Sequence, residues 1–166
     1  MRAPLHPGSE TVQEQAGLPP EMSDRLVYRV TAGDVESGGN VSAAVKSELK
    51  IRGLPEKIAR RAGIVVFEGE MNLILYANEG GTVQVDVLPN AVDIRIEDNG
   101  PGIEDVEQAL TPGYSTAPEW ALELGFGAGM GLVNMRNQCD RFEIQSRPGE
   151  GTWIHCVIER GRDAAE

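Results

Sequence analysis

The chain has 166 residues, 40% of them hydrophobic but only 5% aromatic, and a net charge of −11. That is the size of one domain with a mostly aliphatic core. The acidity argues against a nucleic-acid binder, which needs a basic face to neutralise phosphates, and against docking on an anionic membrane.

Residues 1–24 hold four prolines, several charges and little apolar periodicity, and read as a disordered leader with no signal-peptide segment. "RLVYRV" (25–30) reads as a first strand and "GDVESGGN" (33–40) as a loop. "VSAAVKSELKIRG" (41–53) has apolar residues at helical spacing and a closing Gly53. A long helix is expected over 54–81, with Pro55 in its first turn and Gly80-Gly81 as its stop. Val83, Val85 and Val87, then Val92, Ile94 and Ile96, alternate with polar residues around Pro89-Asn90, which predicts an antiparallel hairpin with one apolar face.

A short helix is expected over 103–110, a loop over 111–120, and a helix over 129–140 with Leu132, Val133 and Met135 buried. A second hairpin turns at Pro148-Gly149 within 141–160, and 161–166 form a frayed tail. One domain over 25–160 results. Helices and hairpins that do not interleave as strand–helix–strand units indicate an α+β fold, a sheet with helices on one face. Cys139 and Cys156 have no metal-ligand spacing and read as reduced core thiols of a cytoplasmic protein. No run of about 18 apolar residues suggests a membrane span.

Three polar sites interrupt apolar registers. Glu68 and Asn72 lie four apart on one helix face with Val65 and Tyr76. They suit a hard cation and an activated nucleophile, or else Glu68 and Glu70 form a solvated stripe. Gly69 between them asks for a close approach by a ligand or a neighbouring backbone. Counting by two from Val92 reaches Asp98, which is either a core-face carboxylate needing a partner or a turn-capping residue of "DNG". Thr152 shares its face with Ile154, Cys156 and Ile158, as a partnered hydroxyl or a plain strand residue.

"ELGFGAGMGL" (123–132) carries glycine at every second position from Gly125 to Gly131. A dinucleotide turn needs G-x-G-x-x-G. The sixth residues from Gly125, Gly127 and Gly129 are Met130, Leu132 and Asn134, so that spacing fails. No lysine follows, as a G-x-x-x-x-G-K loop would require. The segment is a flexible hinge, or a helix N-terminus whose free N–H groups bind an anion.

Glu68-x-x-x-Asn72, "DNGPG" (98–102), "GFGAGMGL" (125–132) and "GEGT" (149–152), in that order, resemble the N, G1, G2 and G3 boxes of the ATPase superfamily of gyrase B, heat-shock chaperone ATPases, bacterial histidine kinases and MutL. The likeness covers roughly residues 27–158 and is strongest to bacterial anti-sigma-factor and switch-protein serine kinases. It implies a two-layer α/β sandwich of the Bergerat type, with a mixed, mostly antiparallel sheet. It also implies ATP or ADP and Mg²⁺ as ligands. Glu68 would be the general base and Asn72 the Mg²⁺ ligand. Asp98 would accept from the adenine amino group, with Gly100 and Gly102 shaping that pocket and Thr152 supporting it. Residues 103–124 would form a lid, bringing Ser115 and Thr116 to the nucleotide. Gly125, Gly127, Gly129, Met130, Gly131 and Leu132 would wrap the phosphates. The implied partner is a protein, either an anti-sigma antagonist phosphorylated on serine or threonine or a sigma factor sequestered with little catalysis. Plain ATP hydrolysis coupled to a partner complex is a further alternative, and a homodimer is a family expectation.

Overall fold

The computed structural model describes residues 24–123 and 129–161. Residues 1–23 of the expected leader and 162–166 of the expected tail lie outside them. Asp24 is tied in, since its carbonyl accepts from Val87 N at 2.8 Å and its carboxylate pairs with Arg52 at 2.9 Å.

Strand β1 (Arg25–Val30) leads through a 3-10 turn (Val35–Ser37) to helices α1 (Asn40–Ile51) and α2 (Glu56–Tyr76). The hairpin β2 (Gly81–Val87) and β3 (Ala91–Asp98) follows, then the short helices α3 (Val106–Ala109) and α4 (Glu119–Glu123). Helix α5 (Gly131–Gln138) and the hairpin β4 (Arg141–Arg147) and β5 (Gly151–Glu159) complete the described chain. The sheet order is β1-β2-β3-β5-β4, and every pairing among these strands is antiparallel, so the expected mixed sheet is wholly antiparallel here.

The alternation behaves as its period dictates. Val83, Val85, Ile94, Ile96, Ile154, Cys156 and Ile158 form one face and are all buried. Helix α2 covers that face with Ile58, Ala62, Val65, Val66, Leu73 and Ile74, and α1 packs on α2 through Val45 and Leu49. Each fully buried Val, Leu or Ile among them contributes roughly 1.5–3 kcal/mol. The opposite face is not simply polar, because Trp153 and Val157 are buried there beside an Asp93–His155 contact of 2.7 Å.

Several expected boundaries move. Helix α2 ends at Tyr76, with Ala77 already extended, five residues short of the expected Gly81. Gly81 instead opens β2, where a Cβ would run into the Glu97 carbonyl and lie 2.7 Å from Leu73 Cδ2. The short helix of 103–110 shrinks to α3, whose N-cap Asp105 accepts from Gln108 N at 3.0 Å. The expected loop of 111–120 already contains the start of α4. Helix α5 is shorter than 129–140; Val133 and Met135 are buried as expected, while Leu132 is only half-buried.

Candidate functional site

Gly69 sets the depth of the site. A Cβ there would overlap Ile96 Cδ1 of β3 and lie 3.4 Å from Met135 Cε of α5. The close approach expected at this glycine is therefore made by side chains, not by a ligand or a backbone. It seats α2 against both elements and brings Glu68 beside α5.

Glu68 and Asn72 project together from α2. Both meet Gly131, the first residue of α5, where a Cβ would sit 3.1 Å from Glu68 Oε2 and 3.4 Å from Asn72 Oδ1. Asn134 Nδ2, one turn into α5, donates to Glu68 Oε1 at 3.1 Å. Glu70 does not join Glu68 in a solvated stripe. It is 1% exposed, and its carboxylate accepts from Val41 N and Ser42 N, both at 3.2 Å. These are orphan donors in the first turn of α1, whose N-cap Gly39 has no side chain to satisfy them.

At the other end, Asp98 and Thr152 are directly paired across β3 and β5. Gly100 N donates to Asp98 Oδ1 at 2.7 Å, so the carboxylate both lies in the core register and caps its own turn. Burial pushes the Asp98 carboxyl above the usual carboxylate range, against the opposing pull of the Gly100 and Thr152 N–H groups. Gly102, at φ +74°, lets the turn pass against the Arg147 carbonyl. Ser146 locks this corner. Its hydroxyl accepts from Ile103 N at 2.7 Å, donates to the Gly151 carbonyl at 2.9 Å, and lies 2.8 Å from Thr152 Oγ1.

Between the two ends lies a cleft of about 1340 Å³ lined by Glu68, Asn72, Asp98, Gly102 and Thr152. Ser115, Thr116, Gly129, Met130, Gly131 and Leu132 line it too, so the structure gathers these expected residues at one place. Gly100 acts through its N–H on Asp98 and is not itself at the wall. Gly125 and Gly127 lie outside the described residues. Beyond the Ile103–Ser146 bond, the 103–123 segment expected as a lid is tied down at two further points. Ser115 Oγ lies 3.3 Å from Tyr76 OH at the end of α2, and Gly113 N donates to the Gly129 carbonyl at 3.0 Å. Gly129, at φ +78°, lies so close to Gly113-Tyr114 that a Cβ would sit 2.5 Å from that backbone.

Sequence reasoning missed Asn134 and Ser146. Ser146 had a usable signal, since counting by two from Phe142 and Ile144 along β4 reaches it. Asn134 had only its place three residues after Gly131.

A cleft with a desolvated carboxylate at one end, and a carboxylate–carboxamide pair under a glycine-lined helix start at the other, is suited to an elongated ligand with an amine-bearing base and an anionic tail. The sequence profile of the family described as histidine kinase-, DNA gyrase B-, and HSP90-like ATPases matches residues 58–162, and the chain belongs to that family. It is 37% identical to an anti-sigma F factor of Pasteuria penetrans over 61% of this chain and 69% of that protein. It is 31% identical to the serine/threonine-protein kinase RsbT of Bacillus subtilis over 82% of this chain and 97% of that protein. In fold it is like a crystal structure of the RsbU and RsbW domains of a Mycobacterium tuberculosis protein, with a TM-score of 0.55 at 15% identity, over 81% of this chain and 32% of that one. None of the described helices is long and apolar enough to cross a membrane.

Proposed function

We propose that the chain binds Mg²⁺·ATP and transfers the γ-phosphoryl group to a serine or threonine of a small partner protein, with Glu68 as the base. The observation that carries this reading is the convergence of Glu68 Oε2 and Asn72 Oδ1 on Gly131, where a Cβ would sit 3.1 and 3.4 Å from those oxygens and crowd the space before them. The residues suit the ligand. Asn72 Oδ1 is a neutral oxygen of the kind a hard cation takes. The N–H groups that open α5 favour negative charge beside it. Asp98 offers an acceptor for an exocyclic amine, with the Thr152 hydroxyl next to it. Ser115 and Thr116 stand on the lid over the cleft, and Gly125 and Gly127 belong to the same phosphate-wrapping segment.

Mg²⁺·ATP, when bound, supplies the transferable phosphoryl group and the positive charge that offsets it. The chain's own task is to position and to move a proton. Glu68 takes the proton of the attacking hydroxyl, Asn72 orients the phosphate end, and the lid excludes water. A base is superfluous to a module that only binds nucleotide. The partner is a regulator of the kind that anti-sigma factors engage, and the protein acts in the cytoplasm as a homodimer. With a net charge of −11, neither nucleic acid nor an anionic membrane suits it as a target.

The test is transfer of label from γ-labelled ATP, with Mg²⁺, to proteins encoded beside this one. Label on serine or threonine of one of them is the expected result. Tight nucleotide binding with no label on any of them would favour a nucleotide-gated sequestering module instead.

A further inference from the structure

Helix α5 holds the Glu68 carboxylate by one oxygen and borders it at the other. Asn134 Nδ2 donates to Oε1 at 3.1 Å, while Gly131 leaves the space beside Oε2 open. A carboxylate only accepts, so the amide must present its NH₂ to Glu68 and not its oxygen. Asn134 is half-buried, and its own backbone N–H donates to the Met130 carbonyl at 2.8 Å. It is therefore built into the first turn of α5, and the clamp on Glu68 moves with the helix that opens at Gly131.

We propose that Asn134 is a positioning residue for the base. It fixes Oε1 as an acceptor and leaves Oε2 to face the cleft, so that Glu68 is correctly aimed only when α5 is seated against α2. This rests on the reading of Glu68 as the base. The logic is that of any catalytic base whose orientation is set by a third group. Aim matters because a misplacement of about 1 Å costs on the order of 100-fold in rate. On a helix with a buried Val133 and Met135, the Asn134 side chain reaches toward α2 at the wall of the cleft.

The experiment measures single-turnover loss of γ-phosphate from Mg²⁺·ATP by the full chain, to water and to the proteins encoded beside it, together with ATP affinity by calorimetry. Asn134→Ala is expected to slow turnover by about 10- to 100-fold with Kd changed less than about threefold. Asn134→Asp, which cannot donate and sets a second carboxylate against Glu68, is expected to be slower still. Asn134→Gln restores the donor and should recover part of the rate. Removing Asn134 in a Glu68→Gln background should add little, because its effect is routed through Glu68. Without nucleotide, the side-chain NH₂ resonances of Asn134 should shift on Glu68→Ala. A full loss with Glu68→Gln but an unaffected Asn134→Ala overturns the positioning role alone, as do multiplicative effects in the double variant or NH₂ resonances indifferent to Glu68. No loss of γ-phosphate by wild type either to water or to a protein partner, or Glu68→Gln as fast as wild type, overturns the reading of Glu68 and the positioning role with it.

Discussion

Gly69 of α2 and Ile96 of β3 share a space that holds one side chain, not two, and Ile96 Cδ1 occupies it. Helix and sheet can touch there only because the helix gives up a Cβ. Gly69→Ala gains about 1 kcal/mol of helix propensity. It overfills a site where Ile96 is 2% exposed, which typically costs about 1–3 kcal/mol. The net expectation is a lower urea midpoint with an unchanged slope. Ile96→Val removes the obstructing methyl, so the double variant should be more stable than the sum of the single effects predicts. A Gly69→Ala protein more stable than wild type would contradict this packing.

Glu70 supplies from α2 the cap that α1 lacks. Glu70→Ala leaves Val41 N and Ser42 N without their acceptor, and should cost about 1–3 kcal/mol in chemical denaturation. Glu70→Gln keeps one carbonyl oxygen and should lose about half as much. Equal stability of all three proteins would show that water satisfies those donors.

Asp98 carries an opposition between stability and binding. Burial raises its carboxyl above the ordinary value of 3.8, so the native state holds that proton to higher pH than the unfolded chain does. Stability from this group is therefore greatest at low pH, falls as pH rises through the window above 3.8, and is lowest once the folded carboxyl is ionised. Asp98→Asn keeps an Oδ1 acceptor for Gly100 N and carries no charge. Its Tm relative to wild type should rise as pH climbs above 3.8. The same change is expected to weaken ATP affinity by about tenfold or more, roughly 1.4 kcal/mol or greater. Calorimetric titration checks the affinity, and an unchanged Kd would count against the adenine contact.

The two cysteines should react unequally. Cys139 is half-buried and donates to the Met135 carbonyl at 3.0 Å, whereas Cys156 is fully buried. A hydrogen bond with the Cys139 thiol and burial push the Cys156 thiol far up. Thiolate is the reactive form, so native protein treated with iodoacetamide should gain one adduct, on Cys139. Mass spectrometry would show the second adduct only after unfolding. Equal labelling of both in the native state would contradict the packing of β5.

Much of the fold was legible because alternation and helical spacing are local signals. The hairpins at Pro89-Asn90 and Pro148-Gly149 fall where turn chemistry placed them, and Asp98 and Thr152 were found by the period of two. What failed was whatever depends on a partner distant in sequence. Glu70 looked like part of a solvated stripe because its partners lie 29 and 28 residues away on α1. Gly81 looked like a helix stop because the neighbours that demand a glycine there, Leu73 and Glu97, lie on α2 and β3. Asn134 could not be singled out, since its role exists only once α5 lies against α2, 66 residues from Glu68. Ser146 was within reach of the rule that found Asp98.

The most direct test of the central claim compares Glu68→Gln with wild type in two measurements on the same samples: ATP affinity, and the rate of γ-phosphate loss or transfer. If Glu68 is the base, general-base removal lowers the rate by about 10²- to 10⁴-fold while affinity stays within a few-fold. Equal rates in the two proteins would contradict the account.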